Sequence, residues 1–192
     1  ELLADCKRLG VKSLAFGFES GSQKVLELLK TDSVDVEQNH RSVQMCRDMG
    51  IEVAGSFILG TPGETREDLE QTYAFVEGHK LDVCKIFVLT PHPGTPVWFE
   101  AEKAGKVSKD MDWGLLSIDF SRNWRQHILL NESMTREEIH AWYLRFQRLA
   151  KRHEMRKLLG RLDGRTVMNR LRTPSKLFND MRVIGSKMAA ML

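Results

Sequence analysis

The chain lacks several things, and each absence narrows what it can be. No run of its 192 residues approaches the roughly 18 consecutive apolar side chains that a membrane span requires, and no secretory pattern opens it, so the sequence points to the cytoplasm. Cysteine is scarce: Cys6, Cys46 and Cys84 are odd in number and 40 and 38 residues apart. That spacing disfavours a disulfide framework and leaves no pair at metal-ligand distance along the chain, so no metal site can be read in it. Positive charge is short over residues 1–135, which carry 15 basic and 21 acidic side chains. Residues 136–192 reverse this with 14 basic and 5 acidic. A basic tail of this kind suits RNA, an anionic membrane face or an acidic partner, and equally a solvated helix face. No internal repeat beyond a strand–helix unit and no low-complexity segment stands out. Methionine is missing from position 1, and ELLADCKRLG (Glu1–Gly10) reads as the last turns of a helix ending at Gly10. We therefore expect a piece of a longer protein whose N-terminal part is not included.

What is present is a thrice-repeated event. Val11–Phe18, Ile51–Leu59 and Val83–Thr90 are short apolar runs that read as strands buried on both faces. Each ends in small and polar residues: Glu19-Ser-Gly-Ser22, Gly60-Thr-Pro-Gly-Glu-Thr65 and Pro91-His-Pro-Gly-Thr-Pro96. Between them lie helical patterns. QKVLELLK (Gln23–Lys30) follows Ser22 as a candidate cap. Asp35 with Gln38 forms a capping box for a helix to Met49, and Thr65 caps another carrying Leu69, Tyr73 and Val76 on one side. A helix over about Val97–Ala104 follows the prolines. Alternating strands and helices predict parallel βα units. From Lys106 to Glu132 the periodicity fades into an ordered connector holding Trp113 and Trp124. Thr135 and Glu138 then open the clearest amphipathic helix, with Ile139, Trp142, Tyr143, Phe146, Leu149 and Ala150 facing a core. A last short helix is expected around Leu177, Phe178, Met181 and Ile184.

In parallel α/β folds ligands sit where the strands end. The polar side chains there are Glu19, Ser20, Ser22, Ser56, Glu64, Thr90, His92 and Thr95. The glycines at 17, 21, 55, 60, 63 and 94 would let a ligand approach the backbone. Glu19 is the hardest to explain as turn chemistry, because an unpaired carboxylate beside a buried strand is costly.

Four segments, GFESGSQKVLELLK, RDMGIEV, SFILGTPGETREDLEQT and LTPHPGTPVWFEAEKAGKV, in this order and spacing, resemble the C-terminal half of a radical S-adenosylmethionine (SAM) enzyme core. The likeness is to the branch in which a cobalamin-binding domain often precedes that core, and it covers about residues 1–115. It implies an α/β fold, the last three or so βα units of a partial (β/α)6 TIM-like barrel over 1–115. A connector over 116–134 and a helical, basic C-terminal extension over 135–192 follow. It further implies a 4Fe–4S cluster that cleaves SAM to a 5′-deoxyadenosyl radical, with cobalamin as a further cofactor in that branch, for oxidation, methylation or rearrangement of a substrate. The CxxxCxxC cluster loop of the family is not among these residues, so the cluster and activity are not expected in this stretch alone.

By the resemblance, Glu19 and Ser20 would contact the ribose or methionine part of SAM, and Ile58 and Gly60 would border the adenine. Ser56 stands where the family's Gly-x-Ile-x-Gly pattern begins with glycine, and Leu89 and Thr90 would offer the adenine edge their backbone. Glu64 is assigned to the turn and helix start ahead of SAM contact, and His92 is the one candidate acid or base. Two other readings stay open. One is a stand-alone ligand-binding or hydrolytic α/β protein using Glu19 and Glu64 as a carboxylate pair; the other is an RNA-interacting module acting through the basic tail. An exposed edge on the first strand predicts oligomerisation or strand exchange of this piece.

Overall fold

The structure is a computed structural model that describes residues 1–30, 34–117 and 119–160, with isolated helical positions at 182 and 185. The short helix expected around 177–184 and most of the basic tail fall outside the described residues. Three strands, β1 (Ser13–Glu19), β2 (Glu52–Leu59) and β3 (Val83–Val88), form a parallel sheet in the order β1-β2-β3. Helices α1 (Leu2–Arg8), α2 (Gln23–Lys30), α3 (Val36–Asp48), α4 (Arg66–His79) and α5 (Pro96–Lys103) alternate with them. A 3-10 turn at Trp113–Leu116 and a short α6 (Phe120–Asn123) interrupt the connector before the long α7 (Arg136–Gly160). Parallel βα units with a helical C-terminal part make this a section of a TIM-like barrel.

The expected capping boxes form. Asp35 accepts from the Gln38 amide at 2.6 Å while the Gln38 side chain accepts from the Asp35 amide. Thr65 pairs in the same way with Asp68, and Thr135 with Glu138. Ser22 differs from expectation: its hydroxyl donates to Asp68 at 2.6 Å instead of capping α2.

The strands are not buried on both faces. Burial alternates strictly along β2, because α3, α4 and α7 cover one face. On that face Val53, Phe57 and Leu59 join Phe18, Val43, Leu69, Phe75, Val76, Ile86 and Val88 in the main core. From α7, Ile139, Tyr143, Phe146 and Leu149 enter the same core. Lys157, near the far end of α7, reaches Glu52 at 2.8 Å and Asp82 at 3.1 Å beside the starts of β2 and β3. Arg66 pairs with Glu138 at its near end. The helix thus spans the outer layer from strand ends to strand starts.

A second, smaller cluster of Leu89, Trp98, Ala101, Val107 and Leu130 has Ile58, Met111, Leu116 and Ile128 packed against it. Ile58 belongs to the face of β2 opposite the main core. The α5–connector segment therefore closes over the C-terminal end of that face. The connector's aromatics pack as expected: Trp113 stacks on Trp98 at 5.8 Å, Trp124 on His140 at 4.1 Å, and Phe120 is buried. Among the described residues no helix is long and apolar enough to cross a membrane.

Candidate functional site

β1 ends abruptly. Glu19 has φ +62°, a left-handed conformation uncommon for any residue with a side chain. The Ser20 amide bonds back to the Phe18 carbonyl at 2.8 Å, closing a three-residue turn around Glu19. The β1–β2 register shifts at the same place, so that Gly17 faces Ser56 while Glu19 faces Phe57. The turn swings the Glu19 carboxylate back over Gly17, where a Cβ would collide with its Oε1. Burial raises the pKa of this carboxyl, and Lys30, with Nζ 3.9 Å from Oε1, offsets only part of the rise. The Lys30 ammonium also bonds the Gly17 carbonyl. Glu19 is thus a half-buried carboxylate with one distant ion partner among the described residues, shaped to accept from a further donor.

Ser20 does not share this outlook. It is fully buried, and its hydroxyl meets that of Thr72 on α4 at 2.9 Å. The Gly21 amide donates to the same Thr72 oxygen at 3.0 Å, and Ser22 and Lys24 both bind Asp68. Burial works against the Asp68 charge, but Lys24, Ser22 and Thr65 outweigh it and hold the carboxyl down at about 2. This network ties the exit of β1 to α4.

Two glycines expected to admit a ligand serve packing instead. A Cβ on Gly21 would lie 2.8 Å from the α4 backbone, and one on Gly55 would lie 2.8 Å from Leu81 and Phe18.

On the sheet face away from the main core, Ala15, Gly17, Ala54 and Ser56 are small. With Phe16, Gly55, Lys85 and Phe87 they line a cavity of about 360 Å³. Ser56 thus opens onto space, whereas Ile58, one rung on, packs against the second cluster.

Gly60 follows β2 at φ +76°, a conformation that favours glycine. Its amide donates to Glu64 Oε2 at 2.6 Å and the Thr61 amide joins it at 3.2 Å. Glu64 is completely buried. Burial pushes its pKa up to about 7 against the pull of those two amides. Asn131 completes this turn, donating to the Thr61 and Glu64 carbonyls at 2.7 and 2.8 Å. Glu64 therefore serves the turn through its Oε2.

At the end of β3 the Leu89 amide extends the ladder to the Leu59 carbonyl at 2.8 Å. The Leu89 carbonyl faces His127 Nε2 at 3.3 Å, and Thr90 Oγ1 lies 3.5 Å from the same nitrogen. His92 is exposed, and its carbonyl accepts from the Thr95 amide and hydroxyl. The side chains missed by sequence reasoning are His127, Asn131 and Thr72. The first two lie in the aperiodic connector, where no spacing signals a role. Thr72 had a signal: it stands four residues after Asp68 on the helix, one turn along the same face.

Among the described residues no three His, Cys, Asp or Glu side chains gather as metal ligands would. Cys46 is buried in α3, and burial pushes the Cys84 thiol up to about 12. The described residues do not fit an iron–sulfur cluster. The under-paired Glu19 carboxylate does fit a cofactor that brings hydroxyl or ammonium donors.

A sequence profile described as the radical SAM superfamily matches residues 1–76. A protein of Pyrococcus horikoshii named as an uncharacterised methyltransferase is 34% identical over 107 residues, covering 56% of this chain and 23% of that relative. Two proteins named tRNA-2-methylthio-N(6)-dimethylallyladenosine synthase are also similar. That of Yersinia enterocolitica is 29% identical over 163 residues, 84% of this chain and 32% of the relative. That of Aeromonas salmonicida is 30% identical over 126 residues, 65% and 24% respectively. The chain thus spans between 23% and 32% of the length of these relatives. The profile over residues 1–76 and these relatives make the chain similar to proteins of the radical SAM superfamily.

Proposed function

We propose that these residues form the ribose- and adenine-side wall of a SAM pocket in an enzyme that transfers a methyl or methylthio group. The relatives' names motivate the reaction class. The observation that carries the pocket is Glu19: a carboxylate on a left-handed strand end, laid over glycine and half-buried, with Lys30 its one ion partner among the described residues. A carboxylate in that state gains most from a charged or hydroxyl donor, and SAM carries both. Bound there, SAM would supply radical chemistry when reduced by a cluster whose ligands lie elsewhere. Glu19 would orient the ribose or amino group, Ser56 and Gly60 would border the adenine, and the segment above Ile58 would keep water from that end. Ser20 supports the wall from behind through Thr72. Cobalamin enters this reading through the sequence resemblance alone, as does the division into 1–115, 116–134 and 135–192.

The test uses the natural polypeptide that carries these residues. Glu19→Gln should weaken SAM binding about tenfold in calorimetric titration, the loss of ~1.5 kcal/mol expected for one charge-assisted hydrogen bond. The melting temperature should stay within a few degrees. Unchanged SAM affinity in both Glu19→Gln and Glu19→Ala would reject the pocket.

A further inference from the structure

His127 lies in the connector, far from any strand in sequence, yet it is 1% exposed and set against the end of β3. Its Nε2 faces two oxygens, the Leu89 carbonyl at 3.3 Å and Thr90 Oγ1 at 3.5 Å. A carbonyl can only accept, and the Thr90 hydroxyl donates its own proton to the Val88 carbonyl at 3.2 Å. Nε2 must therefore carry the hydrogen, shared between the two oxygens. Nδ1 has no hydrogen-bond partner among the described residues. The ring is gripped on its other sides: Phe120 meets it edge-on at 5.1 Å, and Arg136 from α7 holds its backbone carbonyl at 2.6 Å. Burial lowers the pKa of the imidazole against the pull of the Leu89 carbonyl, with Arg136 adding to the fall and the Ser117 carbonyl opposing it.

We infer that His127 is a positioning residue for the cofactor site: as an Nε2–H donor it fixes the carbonyl of Leu89 and the hydroxyl of Thr90, and so aims the backbone that follows β3 at the adenine edge. With its amide bonded to Leu59, Leu89 has no backbone donor left for a ligand, and its carbonyl is shared with His127. Backbone donation to a ligand passes to Thr90. This inference rests on the SAM-pocket reading and assigns to the connector, through one side chain, a share in adenine recognition.

The experiment compares wild type, His127→Gln and His127→Phe in the natural polypeptide, titrating SAM and its hypoxanthine counterpart S-inosylmethionine. Gln keeps a donor near the Nε2 position; Phe keeps the ring on Phe120 and removes the donor. Gln should leave the preference for SAM over the inosine analogue within about twofold, and Phe should reduce it at least fivefold. A folded Phe variant with wild-type preference overturns the inference. A second readout needs no variant: 15N spectra of labelled histidine should show His127 as the Nε2–H tautomer with a resonance that moves when SAM is added. An Nδ1–H tautomer, or a resonance indifferent to bound SAM, overturns it equally. If wild type binds no SAM, the pocket reading falls and the adenine role falls with it. The tautomer alone then reports whether His127 holds Leu89.

Discussion

The Glu64 carboxyl has two oxygens in unlike circumstances: Oε2 accepts from the Gly60 and Thr61 amides, and Oε1 has no partner among the described residues. Its pKa in the fold is about 7 against an ordinary 4.5. A raised carboxyl pKa means that its contribution to stability is complete below pH 4.5 and is lost as pH rises through 7. At ~1.4 kcal/mol per unit the loss across that window is about 3 kcal/mol. Glu64→Gln keeps an acceptor for both amides and cannot ionise. Urea denaturation should therefore show the variant gaining on wild type between pH 5 and pH 8; parallel pH profiles would refute the account. At this scale the sequence was legible where chemistry is local. Glu64 reads as a turn residue because it follows Gly60-Thr-Pro-Gly, and Asp35 as a cap because Gln38 stands at the third position. Ser20 was not legible, because its hydroxyl is settled by Thr72, 52 residues away. His127 was hidden in a segment without period.

Helix α7 was legible as an element because its apolar residues repeat along one face. The same stripe carries a polar intruder, His153, which is 4% exposed with both ring nitrogens unpartnered among the described residues. Burial lowers its pKa, and Arg156, Arg152 and Lys80 add to this against Glu77. A depressed histidine pKa gives stability that is complete above about pH 6.5 and declines as pH falls towards the folded value. Acidification should thus loosen α7 from the sheet. Hydrogen exchange at pH 7 and pH 5 should show faster exchange of the residues around 146–153 in acid, and His153→Leu should remove much of that difference. Equal acid sensitivity in the variant would place the effect elsewhere. His79, held down to about 4 chiefly by burial and then by His40 and Arg47, adds to the acid loss in wild type and variant alike. The alternation along β2 was half legible: a mostly apolar run from Ile51 to Leu59 suggested two buried faces, but Ala54 and Ser56 face the cavity instead of the main core.

At the scale of the molecule, two cores share one sheet. The larger lies under the helices, and the smaller closes one end of the opposite face. The outer edges of β1 and β3 carry no further strand among the described residues. Unpaired edges invite strand addition, so this 192-residue polypeptide should self-associate. Sedimentation velocity should show dimers or larger species growing with concentration, and a strict monomer across the range would refute the expectation. The parallel order was legible because strands alternate with helices. The second core was not, since Trp98, Val107 and Leu130 are too far apart in sequence to form a pattern.

The hydrogen bond between Ser20 and Thr72 also bears on how the chain reaches this state. It closes a loop of 52 positions, and long loops close slowly because their entropy is lost before the contact forms. During synthesis β1 emerges first, but its exit turn finds its partner only once α4 has been made and has coiled. The left-handed conformation at Glu19 thus has to wait for α4. The candidate site should be the last part of this region to become rigid, assembled by a helix that lies behind it.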